Sequence, residues 1–170
     1  LLNKQFKFLS ETDSEVIAQL LSDMYNGDFL DTVTRVLDKI EGSYALGIMC
    51  SDFPDEIIAV RKDNPLIVGF GKNENYIASD IPAVLSRTRD IIRLEDNEIA
   101  VLTKDNVKLY NRKKQPINKE ITHIDWDIAS AEKCGYDHFM LKEIMEQPKV
   151  MRDTVNPRIK DKKIVLDDIK

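Results

Sequence analysis

At 170 residues, 42% hydrophobic and 32% charged, the chain has the composition of an ordinary globular protein and enough length to bury a sizeable core. Its net charge of -5, with Lys and Arg dispersed, offers no field for a phosphate backbone, which excludes nucleic acid as an expected partner. No apolar run approaches bilayer-spanning length and the opening Leu1 to Lys7 lacks the apolar centre of a secretory signal, so the expectation is a cytoplasmic protein with no membrane partner.

The first organised stretch is Phe8-Leu9-Ser10-Glu11-Thr12-Asp13-Ser14-Glu15, an apolar lead-in running into an acidic helix start. Thr12 and Glu15 have capping-box spacing, which predicts that each satisfies a backbone N–H at the helix entrance. Asp13 then falls in the first turn, where unpaired N–H groups and the helix dipole favour an ionised carboxylate able to grip a substrate ammonium. Improving the cap is the competing role for the same residue. Val16, Ile17, Leu20, Leu21 and Met24 repeat at helical spacing as far as about Tyr25, and Gly27 offers a stop. A second helix is expected with Asp31 as its cap, Val33, Val36, Leu37 and Ile40 on one face, and Gly42 as its C′ residue.

After Gly42 the period changes. Tyr44 to Cys50 is almost wholly apolar, the pattern of a strand buried on both faces, and Ser51 to Asp55 reads as a turn into a strand from Ile57 to Arg61. Further strands are expected at Leu66 to Phe70, Tyr76 to Ser79, Ile91 to Leu94, Glu98 to Thr103 and Val107 to Tyr110, forming a meander of hairpins. A short helix through Leu85 starts at Ser79-Asp80 and Pro82, and the triplets Glu95-Asp96-Asn97 and Lys104-Asp105-Asn106 are turns able to accept positive φ. The chain becomes polar and basic from Asn111 to Lys119, with a brief apolar return from Ile121 to Trp126. Asp137 is the expected cap of a last helix that Pro148 interrupts, and the tail resembles a linker or the opening of another unit.

Cys50 and Cys134 lie in different contexts, so neither a disulfide framework nor a structural zinc site is expected. Cys50 reads as core. His138 stands four residues after Cys134, but without a third, orienting group the pair does not make a nucleophile and base.

Ser10 to Ile17, Pro65 to Gly69, Glu74 to Asp80, Leu94 to Asp96 and the long segment Ala131 to Pro148 together resemble the isomerising glutamine–fructose-6-phosphate aminotransferases, and in their order. The first block is shared with other amidotransferases; the last looks like that family's junction into its sugar-isomerase half. The resemblance implies an α+β fold, the N-terminal-nucleophile hydrolase αββα sandwich of antiparallel sheets, present here as an incomplete version. It divides the chain into 1–126, the later part of a type-2 glutamine amidotransferase domain, and 127–170, a linker and the beginning of a sugar-isomerase domain. The implied partners are glutamine, fructose 6-phosphate through the isomerase domain, and a second copy of the chain as a possible homo-oligomer; no cofactor is implied.

The family's opening Cys-Gly-Ile block, its Arg-Trp-Ala-Thr-His stretch and its Asn-Gly pair have no counterpart here, and residue 1 is Leu. The expectation is therefore a truncated chain with no catalytic residue of its own, whose one glutamine-binding residue is Asp13, placed where the family's aspartate holds the substrate α-ammonium. Neither internal cysteine has an adjacent free α-amine to activate it. A non-catalytic binding or interaction module derived from the same fold is the alternative.

Overall fold

The computed structural model describes residues 6–125, 135–160 and 163–165. Two compact units, Leu1–Asp125 and Trp126–Lys170, divide the chain.

The first unit opens with two helices, α1 at Asp13–Met24 and α2 at Phe29–Leu37. Nine strands follow: β1 Tyr44–Cys50, β2 Phe53–Lys62, β3 Ile67–Phe70, β4 Asn75–Ala78, β5 Asp90–Arg93, β6 Glu98–Leu102, β7 Val107–Asn111, β8 Pro116–Ile117 and β9 Thr122–His123. They form two antiparallel sheets, ordered β1-β2-β6-β7-β8 and β4-β3-β5-β9. This corrects the simple meander. The chain leaves the first sheet after β2, builds β3 to β5 in the second and returns at β6, so the Glu95-Asp96-Asn97 turn is a crossover between sheets, with Asn97 at φ 68°. No residue of Lys104 to Asn106 takes positive φ.

Alternation along β2 and β6 builds two cores at once. Ile58, Val60 and Ile99 face α2, where Phe29, Val33 and Leu37 cover them together with Tyr44. Ala59, Ala100 and Leu102 face the second sheet and meet Leu66, Val68, Ile92 and Leu94, with Leu109 from β7. On the far side of the second sheet a Cβ added to Gly69 would lie 2.8 Å from the Thr88 methyl, so the coil that follows the single-turn 3-10 helix Ile81–Ala83 lies against that face. The expected helix there shrinks to this turn, capped by Asp80 through the Ile81 N–H.

Three local expectations are revised. The β1–β2 turn is confined to Ser51-Asp52; Phe53, Pro54 and Asp55 already belong to β2, and the register shift at Met49/Cys50 absorbs the extra residues. The cap of α2 is Asp28, which accepts the Asp31 N–H at 2.9 Å. Asp31 instead takes Arg35 Nε at 2.8 Å, Lys114 Nζ at 2.5 Å and Asn26 Nδ2 at 3.1 Å, which holds its carboxyl below the usual range, Lys114 being the main cause. β8 was hidden within the polar stretch from Asn111 to Lys119; Arg112 and Lys114 from its hairpin grip Asp38 and Asp31 of the α2 segment.

In the second unit α3 runs from Phe139 to Val155 with Pro148 inside it. Pro148 lacks the N–H that would bond back to Ile144, a penalty of about 3 kcal/mol, and the helix nevertheless runs through it. The N-cap is His138 rather than Asp137. A 3-10 turn at Asn156–Arg158 leads to the hairpin β10 Ile159–Lys160 and β11 Lys163–Ile164.

Asp28 caps its helix and the Thr12 side chain does not. Asp28→Ala should therefore cost about 0.5–2 kcal/mol in denaturant unfolding, and Thr12→Ala within about 0.5 kcal/mol. Among the described residues β1 pairs with no strand but β2, and Met49 on it is 73% exposed. The isolated 170-residue chain should accordingly self-associate. Light scattering that shows a compact monomer at high concentration, with cooperative unfolding, would contradict this.

Candidate functional site

α1 carries an apolar stripe and yet has no buried residue. Leu21 reaches the core beneath α2, while Val16 stays 43% exposed. The C-terminal end of α1 is anchored by polar contacts: Arg35 Nη2 donates to the Met24 carbonyl at 2.7 Å, and the Tyr25 hydroxyl donates to Asp52 Oδ2 at 2.8 Å. The Asp52 carboxylate pushes the Tyr25 hydroxyl well above its usual range, because ionisation would place two anions together. Between α1, α2 and β1 runs a groove of about 800 Å³, lined by Ser14, Ile17 and Leu21 on one wall and Leu46, Ile48 and Cys50 on the other.

Asp13 is the first residue of α1, one position before the groove-lining Ser14. Its side chain is exposed, and among the described residues no hydrogen bond or ion pair engages its carboxylate. The capping role weighed against a ligand role is thus not realised through a side-chain bond. The helix dipole still favours an anion at this position, leaving an uncommitted carboxylate able to receive a cation.

The capping box does not form as its spacing predicts. Thr12 makes no side-chain cap bond, and Glu15 reaches further back. Its Oε1 accepts the Leu9 N–H at 2.8 Å, and its Oε2 accepts the Ser10 N–H at 2.6 Å and the Ser10 hydroxyl at 2.5 Å. Ser10 Oγ lies 2.9 Å from Thr12 Oγ1. The Ser10 hydroxyl, followed by the two backbone donors, holds the Glu15 carboxyl below its ordinary value. Sequence spacing pointed to Glu15, but not to a bond spanning six residues.

Cys50 lies half-buried on β1 against the helix-side core, consistent with its reading as a packing residue. Cys134 falls outside the described residues. His138 is exposed at the start of α3, and no group of three His, Cys, Asp or Glu among the described residues could hold a metal ion. No described helix is long and apolar enough to cross a membrane.

Comparison with known proteins bears out the resemblance carried by the motifs. The chain is 55% identical over 170 residues, 99% of its length, to the glutamine–fructose-6-phosphate aminotransferase (isomerizing) of Clostridium tetani. It is 53% identical over the same length to that of Clostridium perfringens, and 50% identical over 149 residues to that of Aquifex aeolicus. It spans 28% of the length of the two clostridial relatives. Among solved structures, a phosphoribosylpyrophosphate amidotransferase from B. subtilis complexed with ADP and GMP matches 68% of this chain and 26% of its own, with a TM-score of 0.56 at 23% identity. An allosteric regulatory enzyme of purine biosynthesis matches 65% of this chain and 24% of its own at a TM-score of 0.57. No family model matches. The paired antiparallel sheets under α1 and α2 are thus part of an N-terminal-nucleophile hydrolase fold, as the motifs implied.

The Glu15 clasp has a definite pH signature. Because its folded pKa lies below the unfolded one, the stabilisation is complete above the ordinary glutamate range and is lost as pH falls through the folded value. The Leu9 and Ser10 amide 15N shifts should stay constant from neutrality to about pH 5 and then titrate together, with a midpoint below that of a free glutamate near 4.3. Independent or absent titration would show the clasp to be wrong.

Proposed function

We propose that these 170 residues are the later part of the glutaminase half, and the entry to the sugar-isomerase half, of an enzyme that takes ammonia from glutamine and transfers it to fructose 6-phosphate to make glucosamine 6-phosphate. The observation that carries this reading is the 55% identity across the whole chain to a relative bearing that name. Residues 1–126 are assigned to the amidotransferase domain and 127–170 to the linker and the beginning of the isomerase domain; the expected setting is cytoplasmic.

Within this scheme Asp13 binds the glutamine α-ammonium. Its carboxylate is exposed and, among the described residues, unengaged, and it sits at the N-terminal end of α1 beside the groove-lining Ser14, where it can pair with an ammonium group. It makes the same contact in ground and transition states, so its contribution is to binding rather than to the chemical step. The chemical step needs a nucleophile and a base that these residues do not supply. Cys50 is internal, half-buried and without an adjacent free α-amine. The 170 residues alone should therefore hydrolyse no glutamine.

The test is a chimaera in which these residues replace the matched stretch of the Clostridium tetani relative. Asp13→Asn keeps the side-chain volume and a hydrogen-bonding oxygen while removing the charge, so the domain should lose about 1 kcal/mol of stability or less. Glutamine KM should rise with kcat held, a loss of about 2–4 kcal/mol in kcat/KM. Glutamine analogues lacking the α-amino group should hardly distinguish the variant from its parent. An unchanged glutamine KM would remove Asp13 from the site.

A further inference from the structure

We propose that Glu15 is a positioning residue for glutamine binding, fixing Asp13 by clasping the backbone of the lead-in; this rests on the reading of Asp13 just given. Asp13 lies between two tied points. On its N-terminal side the Leu9 and Ser10 N–H groups and the Ser10 hydroxyl all donate to the Glu15 carboxylate, and on its C-terminal side Glu15 itself begins the helix body. The Ser10 hydroxyl also lies 2.9 Å from Thr12 Oγ1 and accepts the Thr12 N–H at 3.4 Å, which carries the restraint to the residue before Asp13.

Apolar contact at this end of the helix is incomplete: among the described residues α1 has none that is fully buried, Leu9 is 84% exposed and Phe8 is only half-buried. The anchors at Met24 and Tyr25 hold the opposite end of α1, eleven and more residues away. Only a group with two acceptor oxygens and no hydrogen can receive two adjacent N–H groups and a hydroxyl at once. The amide of Gln would turn an N–H₂ donor toward one of these donors, and the clasp would open on that side. The consequence is displacement of the Asp13 carboxylate, and positioning errors of the order of 1 Å are costly to a bound, reacting substrate.

The chimaera described above carries the test, through Glu15→Gln, Asp13→Asn and the double variant. Glu15→Gln should raise glutamine KM about threefold to tenfold, with kcat within about twofold and the melting temperature nearly unchanged, because no core contact is lost. In the Asp13→Asn background the same substitution should add less than about twofold, since the group being positioned has lost its charge. Should Glu15→Gln fail to fold, Ser10→Ala removes the hydroxyl with its bonds to Glu15 and Thr12 while keeping both backbone donors to Glu15, and should raise KM by about twofold to threefold. If Asp13→Asn leaves KM unchanged, the reading of Asp13 fails and this proposal with it. If Asp13→Asn raises KM but Glu15→Gln does not, the positioning role alone is overturned. A Glu15→Gln effect of equal size in both backgrounds, or a joint fall in kcat and melting temperature, would overturn it as well.

Discussion

The pairing of β2 with β6 is the constraint on which the rest of the first unit depends. Ile57 to Val60 oppose Leu102 to Ile99 in antiparallel register, and successive residues alternate between two cores. Ile58, Val60 and Ile99 are fully buried toward α2, and Ala59 and Ala100 are fully buried toward the second sheet. A slip of one residue would exchange these sets, turning the bulky face onto the second sheet and the alanines onto the helix. The small alanines suit a close approach of the second sheet, whose Val68, Ile92 and Leu94 fill the space above them. With β2 and β6 locked, β1 and β7 follow as hairpin neighbours, and β3 to β5 are confined to the excursion between the two strands.

Most element positions were legible because hydrophobic period is local. Tyr44 to Cys50 coincides with β1, and the expected strands at Leu66, Ile91, Glu98 and Val107 each lie within a residue or two of those observed. Pairing was not legible. A polar triplet such as Glu95-Asp96-Asn97 marks a reversal without saying whether the next strand joins the same sheet, and here it does not. The sandwich came from the family likeness, not from the pattern. Caps failed for a related reason: Asp28 and Asp31 are equally good cap residues by type, and the choice went to Asp28 because Lys114 and Arg35 hold Asp31, one of them from eighty-three positions away. Pro148 misled because a proline inside a helix removes one backbone bond without having to end the helix, and here the helix runs through it.

Asp13 became visible as a candidate through its place in an acidic helix start and through the likeness of Ser10 to Ile17 to other amidotransferases. Its geometry did not. Capping-box spacing predicts a bond from Glu15 to the Thr12 N–H, yet the carboxylate passes Thr12 and takes Leu9 and Ser10. The longer reach offers two backbone donors and a hydroxyl in place of one backbone donor. No periodicity records that choice, because it depends on how the lead-in folds back.

The two helices of the first unit are therefore held in different ways. α2 is fixed by its buried face, with Val33, Val36 and Leu37 almost inaccessible, and its polar contacts to Arg112 and Lys114 only supplement that packing. α1 is fixed at its C-terminal end by Arg35 and Tyr25 and at its N-terminal end by the Glu15 clasp, over a groove that leaves much of its apolar stripe accessible. Apolar packing is strong but has no directional preference, whereas a carboxylate receiving N–H groups specifies angle as well as distance. A residue that must present one charge to one end of an amino-acid substrate needs orientation more than burial. The polar fastening of α1 suits a helix whose first residue is proposed to carry a substrate-binding charge.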